Sequence, residues 1–221
     1  DTFSSRGLGD VYKRQGTVSA ADLNVIDAIN ATAISAATVT GLTGTATAIN
    51  AAYASNGITG LANEAVTITG TTTAAADITT VNTNTTGLVT VNSSTITGTQ
   101  AELVALYTAP AGTVAGLGNE AITITDSITT AQANVIDAFT NGVITATITD
   151  GAIDNLSALT GTNNAYTINV TDTTVSAANL NALNAKTSSP INVTSTGVAG
   201  TAAELIATYA AKGAGTLSGL G

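Results

Sequence analysis

Four residue types are absent from this chain of 221 residues, namely cysteine, histidine, methionine and tryptophan. Without cysteine and histidine, the chain can form no disulfide, no thiol nucleophile, no Cys/His zinc or haem site and no imidazole acid–base pair. An enzyme built from this sequence would have to work with carboxylates, hydroxyls and very few bases. We therefore predict a protein that is not an enzyme, with no catalytic, cofactor-binding or metal-binding residue.

Basic and aromatic residues are scarce. Five Lys and Arg stand against 14 Asp and Glu, which gives a formal net charge of -9, and only 2 Phe and 5 Tyr are present. Basic side chains that neutralise phosphates dominate nucleic-acid affinity, so we expect no nucleic-acid partner, and we also expect no membrane span. Because few large side chains are available, the composition favours a thin, repetitive core over a bulky one.

The first fifteen residues differ in composition from the rest. Arg6, Lys13 and Arg14 are three of the five basic residues, and the composition changes near Gly16. The segment lacks the apolar run of a signal peptide. GLGDVYKRQ resembles the translated adapter-like tail found in reading frames from environmental shotgun assemblies, and the alternative is a natural polar linker. We interpret residues 1–15 as a non-native or disordered tail and residues 16–221 as a single tandem-repeat segment, truncated at both ends.

Two motifs alternate along residues 16–221. GLANEAVTIT at 60–69 returns as GLGNEAITIT at 116–125, and a Thr-Gly-Thr unit followed by tyrosine occurs at 43–53 and 97–107, with a related Gly-Thr copy at 200–209. The second motif reads SAADLN at 19–24 and SAANLN at 176–181. Each half-unit has about 25 residues, which is the size of a solenoid coil.

Each half-unit reads as a short helix and then a strand. Thr99 with Glu102, and Thr201 with Glu204, have the spacing of a helix capping box. Alternating Ile or Val with Thr predicts half-buried strands, one per coil, at 66–69, 122–125, 144–149 and 166–171. A helix between strands favours parallel pairing. We predict an α/β solenoid with stacked parallel strands on one side and short helices on the other; the alternative is an all-β solenoid, since Thr-rich segments favour strands.

Three tyrosines recur at equivalent helical positions. Tyr53, Tyr107 and Tyr209 each lie four residues after an aliphatic residue and so share its helical face. We expect them to be largely buried in a packing ladder, and the alternative is a platform for sugars.

Acidic residues recur at two further places. Asp126, Asp150 and Asp172 each end a strand, where they could form a calcium column, close a turn or cap a helix, and we favour the turn or cap. Glu64 and Glu120 could form an acid–base pair, but their equivalence in two repeats favours a structural turn. Rows of Thr on the strands resemble the ice-binding face of antifreeze solenoids, although Asn169 and Asn192 interrupt them.

The repeated units resemble a known class of protein. SAADLN, SAANLN, GTAAEL at 200–205 and GLGNEA at 116–121 are similar to the Ala/Thr-rich tandem repeats of very large surface-associated proteins of marine bacteria. The resemblance implies an extracellular or cell-surface location, a structural or adhesive role, and neighbouring repeats of the same longer chain as partners. Cell-surface or glycan ligands are further candidate partners. The alternative function is a ligand-binding solenoid that takes glycan, calcium or ice on its Thr-rich strand faces.

Overall fold

The structure is a computed structural model that describes residues 16–221. The predicted tail at residues 1–15 lies outside the described residues. The described chain forms two compact units, one of residues 16–96 and 102–117 and the other of residues 97–101 and 118–221. Short helices and short parallel strands make up each unit, so the fold class is α/β.

Eight helices follow one another along the described residues, usually just after a short strand. Their bounds are α1 Ala20–Ile29, α2 Ala46–Ala54, α3 Ala75–Asn84, α4 Gln100–Tyr107, α5 Thr130–Asp137, α6 Ile153–Leu156, α7 Ala177–Asn184 and α8 Ala202–Gly213. Most are only two or three turns long, and helices of this length depend on packing for stability.

Hydroxyl side chains begin most of these helices. The side chains of Ser19, Thr45 and Ser176 each accept a hydrogen bond from a backbone N–H of the first turn. The capping box of Thr201 and Glu204 is confirmed. A second capping box joins Thr129 to Gln132. Helix α4 begins at Gln100, directly after the predicted cap Thr99.

Seventeen short strands connect and flank the helices of the described residues. Their bounds are β1 Thr17–Ser19, β2 Ile34–Ser35, β3 Gly41–Gly44, β4 Ile58–Thr59, β5 Ala65–Ile68, β6 Thr72–Ala74, β7 Val89–Val91, β8 Thr95–Gly98, β9 Val114–Ala115, β10 Ala121–Ile128, β11 Ile144–Ile148, β12 Ala165–Thr167, β13 Asn169–Val170, β14 Thr174–Ser176, β15 Ile191–Val193, β16 Gly197–Ala199 and β17 Leu217–Ser218.

The first unit contains a sheet of order β1-β3-β5-β7-β9 in which all pairs are parallel. Thr17 pairs with Gly41, and Gly41 pairs with Ala65, so partners lie 24 residues, or one half-unit, apart in sequence. Each half-unit is called a repeat from here on. Inward-facing side chains in register form an aliphatic column whose members are at most 4% exposed: Val18, Leu42, Val66 and Val89.

The second unit also contains short strands that pair in parallel. Strands β10, β11 and β12 pair in parallel, as do β13, β15 and β17 in one sheet and β14 and β16 in another. Register partners are again about one half-unit apart, as for Ile122 with Ile144 and Val170 with Val193. All four of these side chains are buried.

The observed elements confirm the predicted α/β class and its parallel pairing, and the helices contradict the all-β alternative. The expectation of one strand per coil is wrong in both units, because two or three short strands lie between most pairs of consecutive helices, and a single strand, β11, lies only between α5 and α6 among the described residues. The chain bends between these short strands. For example, β5 ends at Ile68 and β6 begins at Thr72, with Gly70 between them at a positive φ of 142°.

The prediction of a buried tyrosine ladder is wrong for Tyr209, which is 46% exposed. Tyr53 and Tyr107 are partly buried. The buried stripe of these helices runs from the aliphatic residue to the position three residues later, as from Ile49 to Ala52, so the tyrosine at the fourth position lies at the margin of the stripe. In α8 the buried residue is Thr208.

No helix within residues 16–221 is both long enough and apolar enough to cross a lipid bilayer.

Candidate functional site

The three predicted strand-end aspartates accept hydrogen bonds from the first residues of helices in the preceding repeat. Asp150 and Asp172 each lie two residues after a strand, as predicted, whereas Asp126 lies within β10. The backbone N–H of Gln100 donates to Asp126 Oδ1 at 2.8 Å, that of Thr130 to Asp150 Oδ2 at 2.6 Å, and that of Ile153 to Asp172 Oδ2 at 2.7 Å. The N–H groups of a first helical turn have no partner within the helix, and a negative charge is favourable there. The predicted capping role is confirmed, but the helix capped lies 19 to 26 residues before the aspartate instead of after it.

The contacts of these aspartates also test the alternative that they form a calcium site. Each of the three aspartates has one carboxylate oxygen engaged by a helix amide. Within residues 16–221, no group of three or more His, Cys, Asp or Glu side chains is arranged to hold a metal ion. The arrangement therefore supports capping by these aspartates.

Glu64 and Glu120 form the same turn in different units. Glu64 is 1% exposed, and its Oε2 accepts from the backbone N–H groups of Ala62 at 3.0 Å and Asn63 at 3.2 Å. Glu120 is 6% exposed, and its Oε2 accepts from the equivalent N–H groups of Gly118 and Asn119. The prediction of a structural turn is confirmed.

Tyr53 completes the Glu64 turn. Its hydroxyl donates a hydrogen bond to Glu64 Oε1. Burial raises the pKa of Tyr53 above its ordinary value, and the bond to Glu64 raises this pKa further. The phenol therefore remains a hydrogen-bond donor over the physiological pH range.

A Thr-X-Gly motif follows each of these turns and was not singled out by the sequence analysis. Thr85 Oγ1 donates to the backbone carbonyl of Glu64 at 2.7 Å and accepts from the N–H of Gly87 at 3.0 Å. Thr140 Oγ1 likewise donates to the carbonyl of Glu120 at 2.6 Å and accepts from Gly142 at 2.9 Å. The signal that could have revealed the motif is its recurrence 20 or 21 residues after each glutamate.

Asparagines on the helices form a second set of bonds that the sequence analysis missed. Each donates from its side-chain Nδ2 to a backbone carbonyl 23 to 27 residues later: Asn24 to Ala48, Asn50 to Asp77, Asn134 to Ala158 and Asn181 to Glu204. Each of these asparagines directly follows a buried apolar residue of its helix, namely Leu23, Ile49, Ala133 or Leu180. These bonds join each of these helices to the next repeat.

Threonine hydroxyls near the strand ends also bond to the preceding repeat. They donate to backbone carbonyls 21 to 25 residues earlier, with Thr43 bound to Val18, Thr149 to Ile128 and Thr194 to Val170. The donor hydrogen of each of these hydroxyls is therefore engaged within the fold. An exposed row in register is formed by Ser127, Thr147 and Thr167.

A groove of about 460 Å³ opens in the second unit between the start of α5 and the short helix α6. Its charged lining residues are Asp150 and Asp154, and Asn155 and Thr130 are among its polar ones. Ala131 and Ala158 contribute apolar surface. The sequence predicts no site at this groove.

Comparisons of the chain with protein-family models, with curated proteins and with solved structures found no match.

Proposed function

We propose that residues 16–221 are a non-catalytic structural or adhesive segment of tandem repeats, stacked as a solenoid, within a longer extracellular or cell-surface protein. The observation that carries this proposal is that polar side chains in both units are engaged in bonds to a neighbouring repeat. The aspartate caps, the asparagine bonds and the threonine bonds all span between 19 and 27 residues of sequence.

Bonds of this kind explain how such small repeats remain folded. A helix of eight to ten residues is not stable alone in water, and a strand of three residues needs a partner. Each repeat therefore depends on its neighbour, which is the energetic principle of repeat proteins. Partners in the longer chain would be further repeats, and the proposed location rests on the resemblance of the repeated motifs to those of surface-associated proteins.

The test is the removal of one repeat in register. Deletion of residues 41–64 joins Thr40 to Ala65, and Ala65 is the register partner of Gly41. A stack of equivalent repeats should tolerate this loss, with retained helical and strand circular dichroism and a cooperative unfolding transition at a lower midpoint.

The matched control is deletion of residues 41–52, which removes half of that repeat and shifts the register. This variant should lose its cooperative transition, because a shift places polar residues at core positions. If the full-repeat deletion is as disruptive as the half-repeat deletion, the proposed stack of equivalent repeats is wrong.

A second candidate function is ligand binding by the Thr-rich strands. The observation in its favour is the exposed, in-register row of Ser127, Thr147 and Thr167. Inhibition of ice recrystallisation by the chain, abolished by Thr147→Tyr, would support an ice-binding role for this row. If the unmodified chain and the Thr147→Tyr variant inhibit ice recrystallisation equally, this row does not bind ice.

A further inference from the structure

Exposed apolar side chains are concentrated on the first and last helices of the described residues. The large apolar side chains that are exposed there are Val25, Ile29, Leu88, Val135, Val143, Ile206 and Tyr209. Two of these seven lie on α1 and two on α8, so the two terminal helices carry more than half of them. Uncovered apolar side chains that lie close together are typical of an interaction surface.

Contacts within the first unit show which side of a helix faces each neighbouring repeat. The fifth residue of α2, Asn50, donates to the carbonyl of Asp77, the third residue of α3. The eighth residue of α1, Asp27, accepts a hydrogen bond from Ser55, which directly follows α2 at the tenth position. The fifth and eighth positions of a helix therefore face the following repeat, and the third and tenth positions face the preceding one.

Helix α8 carries apolar side chains at the two positions that face a following repeat. Ile206 is its fifth residue and Tyr209 its eighth, and they are 71% and 46% exposed. In α2 the eighth residue is Tyr53, which is partly buried and donates its hydroxyl to Glu64 of the following repeat. The side of α8 that bears Ile206 and Tyr209 is therefore a contact surface of the same kind, and nothing in residues 16–221 covers these two side chains.

Helix α1 carries an apolar side chain on the opposite side. Ile29 occupies the tenth position, where Ser55 of α2 contacts the preceding repeat, and it is 71% exposed. Val25 lies one turn before it and is 61% exposed. The adjoining strands are edge strands as well, because within the described residues β1 pairs only with β3, and β16 pairs only with β14. An edge strand can pair with a strand of another chain.

We propose that α8 and β16 of one copy of this chain bind α1 and β1 of a second copy, head to tail, in the register in which successive repeats stack. Tyr209 would pack against Ile29 of the second copy, and β1 would extend the β14-β16 sheet as a parallel strand. The interface continues the contact between repeats, so the inference rests on the proposed stacking. Because unlike ends bind each other, each pair retains two open ends, and association should continue beyond the dimer.

The test is sedimentation equilibrium of the full chain over a range of concentrations. The average mass should rise above that of one chain as the concentration rises. Ile29→Glu blocks the α1 end and Ile206→Glu blocks the α8 end. Each variant alone should self-associate at least about tenfold more weakly, because the new charge would be buried against apolar surface. Both positions are 71% exposed, so both variants should fold normally.

An equimolar mixture of the two variants separates head-to-tail binding from binding between like ends. Each variant keeps one intact end, so the mixture should form pairs that neither variant forms alone. Val135→Glu is the matched control, because it adds the same charge at an exposed position of α5 and should associate as the unmodified chain does.

The proposal is overturned if the unmodified chain stays monomeric, if either end variant alone associates as the unmodified chain does, if their mixture forms no pairs, or if Val135→Glu weakens association equally. The deletion of residues 41–64 tests the stacking of repeats separately, since it is scored by unfolding and not by mass. A chain that tolerates this deletion but stays monomeric would contradict the head-to-tail contact alone.

Discussion

Asp172 and Asp154 lie close to the same short helix but make different contacts. Asp172 Oδ2 accepts a hydrogen bond from the N–H of Ile153, the first residue of α6, whereas Asp154 is exposed in the first turn of that helix. A helix cap contributes more to stability than an exposed charge does, because it satisfies an amide that has no other partner. The position of an acidic residue relative to the neighbouring repeat therefore decides its role.

We predict that Asp172→Ala lowers the free energy of unfolding by about 1 kcal/mol, the usual size of a lost cap. Asp154→Ala should change it by less than about 0.5 kcal/mol, as exposed substitutions do. Chemical denaturation of both variants measures the difference. Equal effects would show that the bond between Asp172 and α6 does not stabilise the fold.

Buried phenols predict how stability depends on alkaline pH. Burial raises the pKa of both Tyr53 and Tyr166 above the ordinary value of 10.0. The Glu64 bond adds to the effect at Tyr53, and the charge of Asp137 adds to it at Tyr166. The folded state therefore holds these protons more tightly than the unfolded chain. The resulting stability is complete below pH 10.0 and is lost as the pH rises beyond it.

The midpoint of thermal unfolding should accordingly fall as the pH rises from about 10 to about 12. Tyr166→Phe and Tyr53→Phe should each make this fall shallower, since each removes one titrating group. Tyr209→Phe is the control, because Tyr209 is 46% exposed. An unchanged slope in both buried-tyrosine variants would contradict the prediction.

At the scale of elements, the contact between successive repeats depends on glycine at the Thr-X-Gly motif. A Cβ atom on Gly87 would lie 2.2 Å from the backbone oxygen of Glu64, and one on Gly142 would lie 2.2 Å from that of Glu120. Backbone cannot move aside as a flexible side chain can. The glycine therefore permits the close approach of one repeat to the preceding one.

We predict that Gly87→Ala and Gly142→Ala each lower the free energy of unfolding by about 1–3 kcal/mol or more, as overpacking does. Gly213→Ala is the matched control, because Gly213 lies within α8 and a Cβ there would contact nothing within 4 Å. This control should be neutral or stabilising, since alanine favours a helix by about 1 kcal/mol over glycine. Denaturant unfolding of the three variants distinguishes the two classes of position.

The elements that the sequence predicted correctly depend on local signals. Capping spacings and apolar periodicity located the helix at Thr201 and the strand at Ile122, because these patterns act within a few residues. The sequence did not reveal that Asn181 would bond to Glu204, because that contact joins residues of different repeats. The error at Tyr209 has a related cause. A spacing of four residues places Tyr209 beside Leu205 on the helix surface, but it does not determine whether a neighbouring repeat covers that part of the surface.

The candidate site was predictable only in part. The three strand-end aspartates were found, and capping was among their expected roles. The groove was not found, because it arises from the difference in length between α5 and α6, which lie in successive repeats.

At the scale of the whole chain, the formal charge of -9 opposes close packing of repeats. Part of this charge is placed where it is stabilising, because Asp126, Asp150 and Asp172 accept bonds from helix amides and Glu64 and Glu120 accept bonds from turn amides. Added cations should therefore act mainly by screening the remaining surface charges.

The last prediction separates screening from specific binding of calcium. A calcium site needs six to eight oxygen ligands, and each repeat in question supplies one strand-end aspartate with one oxygen already engaged. We expect the midpoint of thermal unfolding to be the same in about 1 mM calcium and in chelator at matched ionic strength, because screening depends on ionic strength and not on the identity of the cation. A calcium-specific rise of more than about 5 °C, which corresponds to roughly 1 kcal/mol or more, would contradict this. Repeating the measurement with Asp150→Asn would then show whether the aspartates that cap the helices also hold the ion.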